Sequence, residues 1–284
     1  MPRPGLKTNN PSMVISNDAN SKEWWDAMLK RQTERKVHLH RMCETKYNQS
    51  VLPLTEFIKD KKRLYSFYYI DKFKLMYSFV HKVGSTNWAR LLRTATKGRK
   101  LKRLYRLSKR EALWRLQNYT SFLIVRHPLV RILSAYRDKF VEHHIPHYKS
   151  IGRRILKKFR KGVTKEELKR ANNVRFDEFL GYIAATRKHQ GNTHWDHSIL
   201  RNKVCLFDYD IIAKLETGDE DTKFILKTFK MDGVVTLRSH YQNYTGQQDV
   251  VRSFYSQIPN KLLNRVIHAY ESDFVLFNYS MSIP

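Results

Sequence analysis

The sequence predicts an α/β fold, a parallel β-sheet flanked by helices, from three observations. Residues 75–80 and 122–125 are short apolar runs, rich in aromatic and β-branched side chains, of the length that suits buried strands. Each leads through a polar turn into an amphipathic helical pattern, and strands alternating with helices call for parallel pairing with helices on both faces. The 284 residues, 41% hydrophobic and 13% aromatic, supply one core and an N-terminal extension.

The elements follow in order. Residues 1–19, rich in Pro, Asn and Ser, read as a disordered tail. Asn20-Ser-Lys-Glu23 has the form of a capping box that opens a long charged helix to about Tyr47. Residues 51–69 read as a linker with short elements, and an edge strand is expected over 65–70. After the strand at 75–80 comes a turn at 81–86, with Asn87 as the expected cap of a helix beginning at Trp88. Residues 97–110 are dense in Lys and Arg, which reads as a solvated helix face or as a rim that touches glycan. After the strand at 122–125, Pro128 fits the first helical turn. Leu129, Ile132, Leu133, Tyr136 and Phe140 then recur at helical spacing as one apolar stripe, with Ser134 off it. Residues 151–170 are basic, with a helix start after Thr164. Phe176, Phe179, Leu180 and Ile183 mark another amphipathic helix. A loop at 191–200 carries His194, Trp195 and His197, and a third buried strand is expected at 204–207. Helices are expected at 219–230 and 260–270, with an aromatic tail at 274–279 packed on the core.

Two stretches carry chemistry. The first is His81-Lys82-Val83-Gly84-Ser85-Thr86-Asn87, between a strand and a helix. Unpaired backbone N–H groups and the positive end of a helix dipole then face one concavity, which suits a phosphate. Lys82 adds a cation, and Ser85 and Thr86 add hydroxyls. A Walker A loop ends in Gly-Lys-Ser/Thr; here the lysine precedes the glycine, so the cradle is of a different kind. The second stretch is Arg126-His127-Pro128-Leu129-Val130-Arg131-Ile132-Leu133-Ser134. A cation at a strand end and a hydroxyl two turns into the next helix can grip one phosphate from two sides.

Together the two stretches resemble the 5′-phosphosulfate loop and the 3′-phosphate site of sulfotransferases that use 3′-phosphoadenosine 5′-phosphosulfate (PAPS). More narrowly, they resemble Golgi carbohydrate sulfotransferases of the HNK-1, chondroitin 4-O- and dermatan 4-O-sulfotransferase group. Lys82, Val83, Gly84, Thr86, Asn87 and Trp88 match the first motif of that group. Arg126, Pro128, Arg131 and Ser134 through Phe140 match the second. His194-Trp195, Cys205, Tyr209-Asp210, Lys214-Leu-Glu216-Thr217 and the closing Tyr270, Asp273, Phe274, Phe277 and Tyr279 follow further blocks in register.

The resemblance implies a P-loop-NTPase-like sulfotransferase fold. It implies residues 1–50 as a tail and stem-like helix, and residues 51–284 as a PAPS-dependent catalytic domain. The implied reaction moves a sulfuryl group from PAPS to a hydroxyl of a glycan, of chondroitin or dermatan type or with a related terminal sugar. The alternative is an inactive polyanion-binding protein on the same fold. Residues 81–87 and 126–134 are the expected nucleotide site. Lys82 stabilises the departing 5′-phosphate, and Arg126 and Ser134 hold the 3′-phosphate. His194 is the leading candidate for the base that takes the acceptor proton, with His81 and Asp138 as rivals. Fixed cations meet the charge demand, so no metal is expected, and His and Cys spacing gives no zinc pattern.

The formal net charge of +28 requires a polyanionic partner or leaves a strongly self-repelling surface. An anionic glycan and the nucleotide donor satisfy it, so nucleic acid is not expected. No run of about twenty apolar residues encodes a membrane span. The group is anchored in the Golgi by one N-terminal segment, so a Golgi-lumenal location is expected, with an anchor outside this chain. Sequons at Asn48, Asn118, Asn243 and Asn278 permit a secretory route. Cys43 and Cys205 are the two cysteines; the group carries others where Ser78, Ser85 and Asn202 stand. A single bridge and two buried thiols both fit the sequence.

Overall fold

The computed structural model describes residues 21–142, 148–185, 192–234 and 248–284, which form two compact units. The first holds residues 21–126 and 198–234; the second holds the described part of 127–197 and residues 248–284. The expected tail at 1–19 and part of the loop at 191–200 lie outside the described residues.

The chain opens with α1 (Lys22–Tyr47), capped by Ser21, whose side chain accepts from Trp24 N. Then come α2 (Leu54–Phe57), β1 (Phe67–Ile70), β2 (Leu75–Ser78), α3 (Ser85–Ala95), β3 (Lys102–Arg103), α4 (Lys109–Asn118) and β4 (Thr120–Val125). The second unit takes over with α5 (Pro128–Tyr136), α6 (Lys149–Phe159), α7 (Lys165–Arg170) and α8 (Phe176–Ala185). The first resumes with α9 (Ser198–Arg201), β5 (Ile211–Lys214) and α10 (Gly218–Thr228), and the second closes with α11 (Gln248–Tyr255), α12 (Asn260–Ala269) and α13 (Glu271–Leu276).

The first unit is built on a five-stranded sheet of order β3-β1-β2-β4-β5. β2, β4 and β5 run parallel, as α/β alternation requires. β1 runs antiparallel to β2 and to β3, so the sheet is mixed rather than wholly parallel. The reason is local: only a short turn over residues 71–74 joins β1 to β2, with Lys74 at φ 46°, too little chain for a crossover. Tyr77 stacks on Phe122 at 4.7 Å between ring centroids, and Trp88 of α3 closes on Phe122 at 5.1 Å. Thus α3 is clamped on the two strands whose ends carry the motifs.

The third strand expected at 204–207 is not a strand. Val204, Cys205 and Phe207 are buried, but Leu206 N and Phe207 N both turn back to Lys203 O, and the strand is Ile211–Lys214. A short apolar run reports burial, which a packed turn satisfies as well as a strand. Cys205 in that turn is bridged to Cys43 of α1. α1 therefore packs within the first unit. Arg35 reinforces it, donating to Asp221 at 2.9 Å, to Ile212 O at 2.8 Å and to Thr217 Oγ1 at 3.0 Å.

The second unit is helical, around Leu129, Ile132, Leu133, Tyr136, Phe179, Trp195 and Phe274. α7 opens with a capping box between Thr164 and Glu167, where the sequence places a helix start. Arg160 ties α7 and α8 together through Glu167 and Glu178, each at 2.8 Å.

Candidate active site

The first motif occupies the turn between β2 and α3. β2 ends at Ser78, a fully buried serine in a polar network. Asn202 Nδ2 donates to Ser78 Oγ at 2.8 Å and to Phe79 O at 3.2 Å; the Tyr209 hydroxyl donates to Asn202 O at 2.7 Å and sits 2.8 Å from Ser78 Oγ. Ser78 and Asn202 stand where the resembling group carries cysteines, and here a hydrogen bond joins them. These hydrogen bonds tie the strand end to residues 202 and 209.

Beyond it the backbone twice enters the left-handed region, at Lys82 (φ 68°) and Gly84 (φ 77°). For glycine this is easy; for lysine it costs about 1 kcal/mol. Val83 between them is fully buried and pins the loop from below. Gly84 is the N-cap of α3, in place of the expected Asn87: Asn87 N and Trp88 N both donate to Gly84 O, at 3.0 and 3.1 Å. No side chain caps this helix end. The amides of Ser85 and Thr86 thus have no helical carbonyl behind them, and they sit at the positive end of an eleven-residue helix. Ser85 is buried, Thr86 is exposed, and the His81 ring meets the Phe79 ring edge-on at 4.8 Å.

Arg126 directly follows β4 in the same unit. It is 5% exposed, and its Nη1 donates to the Lys82 carbonyl at 3.2 Å. One buried guanidinium therefore holds the left-handed lysine of the neighbouring strand's loop. The corner gathers Lys82, the first amides of α3 and Arg126, an arrangement fitted to an anion with phosphate-like oxygens.

The rest of the second motif belongs to the second unit. Pro128 is the first residue of α5, and Leu129, Val130, Ile132 and Leu133 are buried in that unit's apolar core. Their side chains pack rather than face solvent; Ser134 is half-buried. His127 Nε2 lies 3.0 Å from Ser280 O, its ring edge-on to Phe274 and Tyr279. Arg131 is 3% exposed, with Nη2 donating to Asp196 O at 2.6 Å and Nη1 3.5 Å from Asp273. Past Tyr136 the helix widens into a π-helical stretch, Arg137–Glu142, a distortion often found beside functional residues.

His194 is half-buried, with its amide donating to Asn192 Oδ1 at 3.0 Å and its ring 5.8 Å from the Tyr148 ring. His197 is of another kind: it stacks on Tyr270 at 4.3 Å, and burial, with the Arg131 guanidinium beside it, pushes its imidazole down to about 3. It stays neutral near pH 7 and is structural. Lys139 is paired with Asp138 at 2.8 Å. The buried supports to which the sequence assigned no role are Asn202 and Tyr209 under the loop, and Asp196 and Asp273 around Arg131. Their one signal was position, within or beside the downstream blocks. Among the described residues no group of His, Cys, Asp and Glu is placed to hold a metal ion.

A parallel strand, an uncapped helix start and a buried arginine meet in one corner of an α/β unit. Residues 65–280 match the profile described as Sulfotransferase family, and the chain belongs to that family. It is 30% identical over 277 residues to human carbohydrate sulfotransferase 8, covering 90% of this chain and 64% of the relative. It is 29% identical over 229 residues to rat carbohydrate sulfotransferase 11, covering 73% and 65%. With human carbohydrate sulfotransferase 9 the identity is 27% over 292 residues, covering 95% and 63%. The chain thus spans slightly less than two thirds of the length of these relatives. No solved structure matches it.

Proposed function

We propose that this chain is a carbohydrate O-sulfotransferase that moves the sulfuryl group of PAPS to a hydroxyl of an anionic glycan, of chondroitin or dermatan type or with a related terminal sugar. The observation that carries this reading is the helix start at Gly84, uncapped by any side chain, with Lys82 beside it and Arg126 anchored on its carbonyl. The relatives' names support the carbohydrate.

In this reading the amides of residues 83–87 and the Ser85 and Thr86 hydroxyls hold the 5′-phosphate. As the acceptor oxygen attacks sulfur, the bond from sulfur to the bridging phosphate oxygen breaks, and Lys82 neutralises the charge left on that phosphate. Arg126 and Ser134 hold the 3′-phosphate, and so select PAPS and align it for in-line attack. His194 takes the proton of the acceptor hydroxyl. Residues 51–284 carry the chemistry, with residues 1–50 as the extension.

A Golgi-lumenal site of action is part of the proposal. The Cys43–Cys205 bridge supports an oxidising compartment, and the exposure of the sequon residues Asn48, Asn118 and Asn278 is compatible with glycosylation there. No helix among the described residues is long and apolar enough to cross a membrane.

The test has two arms. Calorimetric titration with 3′-phosphoadenosine 5′-phosphate should show saturable binding that weakens when the 3′-phosphate is removed. Labelled PAPS, offered with chondroitin, dermatan, heparan and terminal-GalNAc acceptors, should label at least one, and His194→Gln should lower that turnover and flatten the acidic limb of its pH profile. Saturable nucleotide binding with no transfer to any acceptor would favour the inactive polyanion binder.

A further inference from the structure

A second basic site lies at the far end of α3. A cleft of about 370 Å³ opens between the end of β1, the C-terminus of α3 and the segment leading into β3. Five cations line it, Lys72, Lys97, Arg99, Lys100 and Lys102, against one carboxylate, Asp71. That carboxylate is already engaged by Lys102 at 3.2 Å, Arg115 at 3.0 Å and the Tyr119 hydroxyl at 2.6 Å. Among the described residues Lys97, Arg99 and Lys100 have no carboxylate within ion-pair distance, and all three are exposed.

The segment that presents them is a formed turn. Lys97 (φ 53°) and Gly98 (φ 81°) are both left-handed, Gly98 N donates to Arg93 O at 2.9 Å, and the Thr96 hydroxyl lies 3.2 Å from Arg99 O. A helix C-terminus favours a cation or two in its last turn. That accounts for Lys97, but not for Lys72 on the β1 side or Lys102 on β3. Charge held at spaced positions from three elements fits a linear polyanion with recurring acidic groups. Tyr69, the aromatic ring in the lining, is 4% exposed, so the cleft offers no platform on which bases would stack. That favours an anionic polysaccharide over a single-stranded nucleic acid.

We propose that this cleft is an exosite that holds an anionic polysaccharide, the acceptor's own chain, at a distance from the reacting sugar. Its place in catalysis rests on the sulfotransferase reading above; its binding does not. α3 has eleven residues, so its two ends lie about 16 Å apart. A long acceptor held at the C-terminal end keeps its other sugars at high local concentration near the N-terminal end, and a short oligosaccharide gains nothing.

The test compares the full chain with a triple variant, Lys97→Ser, Arg99→Ser and Lys100→Ser, and with a control that removes three exposed α1 cations, Lys30→Ser, Arg41→Ser and Lys46→Ser. Each is titrated with polymeric chondroitin sulfate, a chondroitin sulfate tetrasaccharide, duplex DNA and 3′-phosphoadenosine 5′-phosphate, and transfer to polymer and tetrasaccharide is measured. The expected result is about a tenfold loss of polymer affinity, and a matching rise in KM for polymer, in the cleft variant alone. The tetrasaccharide KM, nucleotide affinity and melting temperature should stay unchanged. Equal polymer losses in both triple variants would reduce the cleft to general charge, and an undiminished polymer affinity would remove it. A loss confined to DNA would assign the cleft to another partner. If no transfer occurs at all, the polymer titration still decides the exosite while the nucleotide titration decides the enzyme reading.

Discussion

The two ends of α3 use the same backbone device and would offer an anion different groups. Each has a lysine and a glycine in the left-handed region, Lys82 and Gly84 before the helix, Lys97 and Gly98 after it. At the N-terminus the dipole is positive and the amides point outward, so the main chain can recognise the anion and side chains need only add to it. At the C-terminus the dipole is negative, and any anion must be met by side chains that outweigh it. The first arrangement is rigid and geometrically selective, as a nucleotide phosphate requires. The second relies on exposed side chains and answers to charge density, as a polymer tolerates.

The largest effect that separates the two ends should come from Lys82. Lys82→Ala is expected to lower kcat about 10²–10³-fold, the usual cost of a donor aimed at developing charge. Lys82→Gly should be as inactive yet at least as stable as the parent, because it relieves the left-handed strain; full activity in either, measured by labelled-donor transfer, would break the assignment. Next, Arg126→Lys keeps the charge but cannot reproduce the planar donor that meets the Lys82 carbonyl. The expected loss is about tenfold or more in affinity for 3′-phosphoadenosine 5′-phosphate by calorimetry, since hydrogen bonds from charged groups contribute about 1.5–3 kcal/mol.

Smaller and more diagnostic is the glycine pair. Gly84→Ala and Gly98→Ala should each cost about 1–2 kcal/mol in denaturant unfolding, from the same backbone conflict. An added Cβ at Gly98 meets nothing within 4 Å, so its cost is purely conformational. Only Gly84→Ala should impair nucleotide binding; equal impairment by both would mean the ends are coupled. The mildest test is salt. Between about 50 and 200 mM salt, polymer binding should weaken steeply and nucleotide binding much less, because exposed cations are screened and a buried guanidinium is not.

What the sequence made legible follows the same division. The strand runs at 75–80 and 122–125 and Pro128 opening a helix rest on local rules of length and spacing, and the structure carries them, the first strand stopping at Ser78. The cap of α1 is Ser21, one residue past the Asn20 that the expected box with Glu23 requires. Gly84 as the true cap was hidden because Asn87 is the better cap by composition, whereas the loop needs a left-handed residue more than a side-chain oxygen. The turn at Val204–Phe207 looked like a strand because a run of four apolar residues reports burial and not shape. The partners of Arg131 come from Asp196 and Asp273, separated from it by 65 residues and more, which no window can see. Residues 97–110 read as a helix face or a glycan rim; only the fold shows that the turn at 97–100, the end of β1 and β3 share one cleft.

Cys43 and Cys205 lie 162 residues apart, and everything from the phosphate loop to His194 falls between them. The bridge closes that stretch into a covalent ring. A protease that cuts once inside it should therefore release no fragment: the nicked chain should run as a single species in denaturing gels without reductant and part into two pieces only when thiol is added.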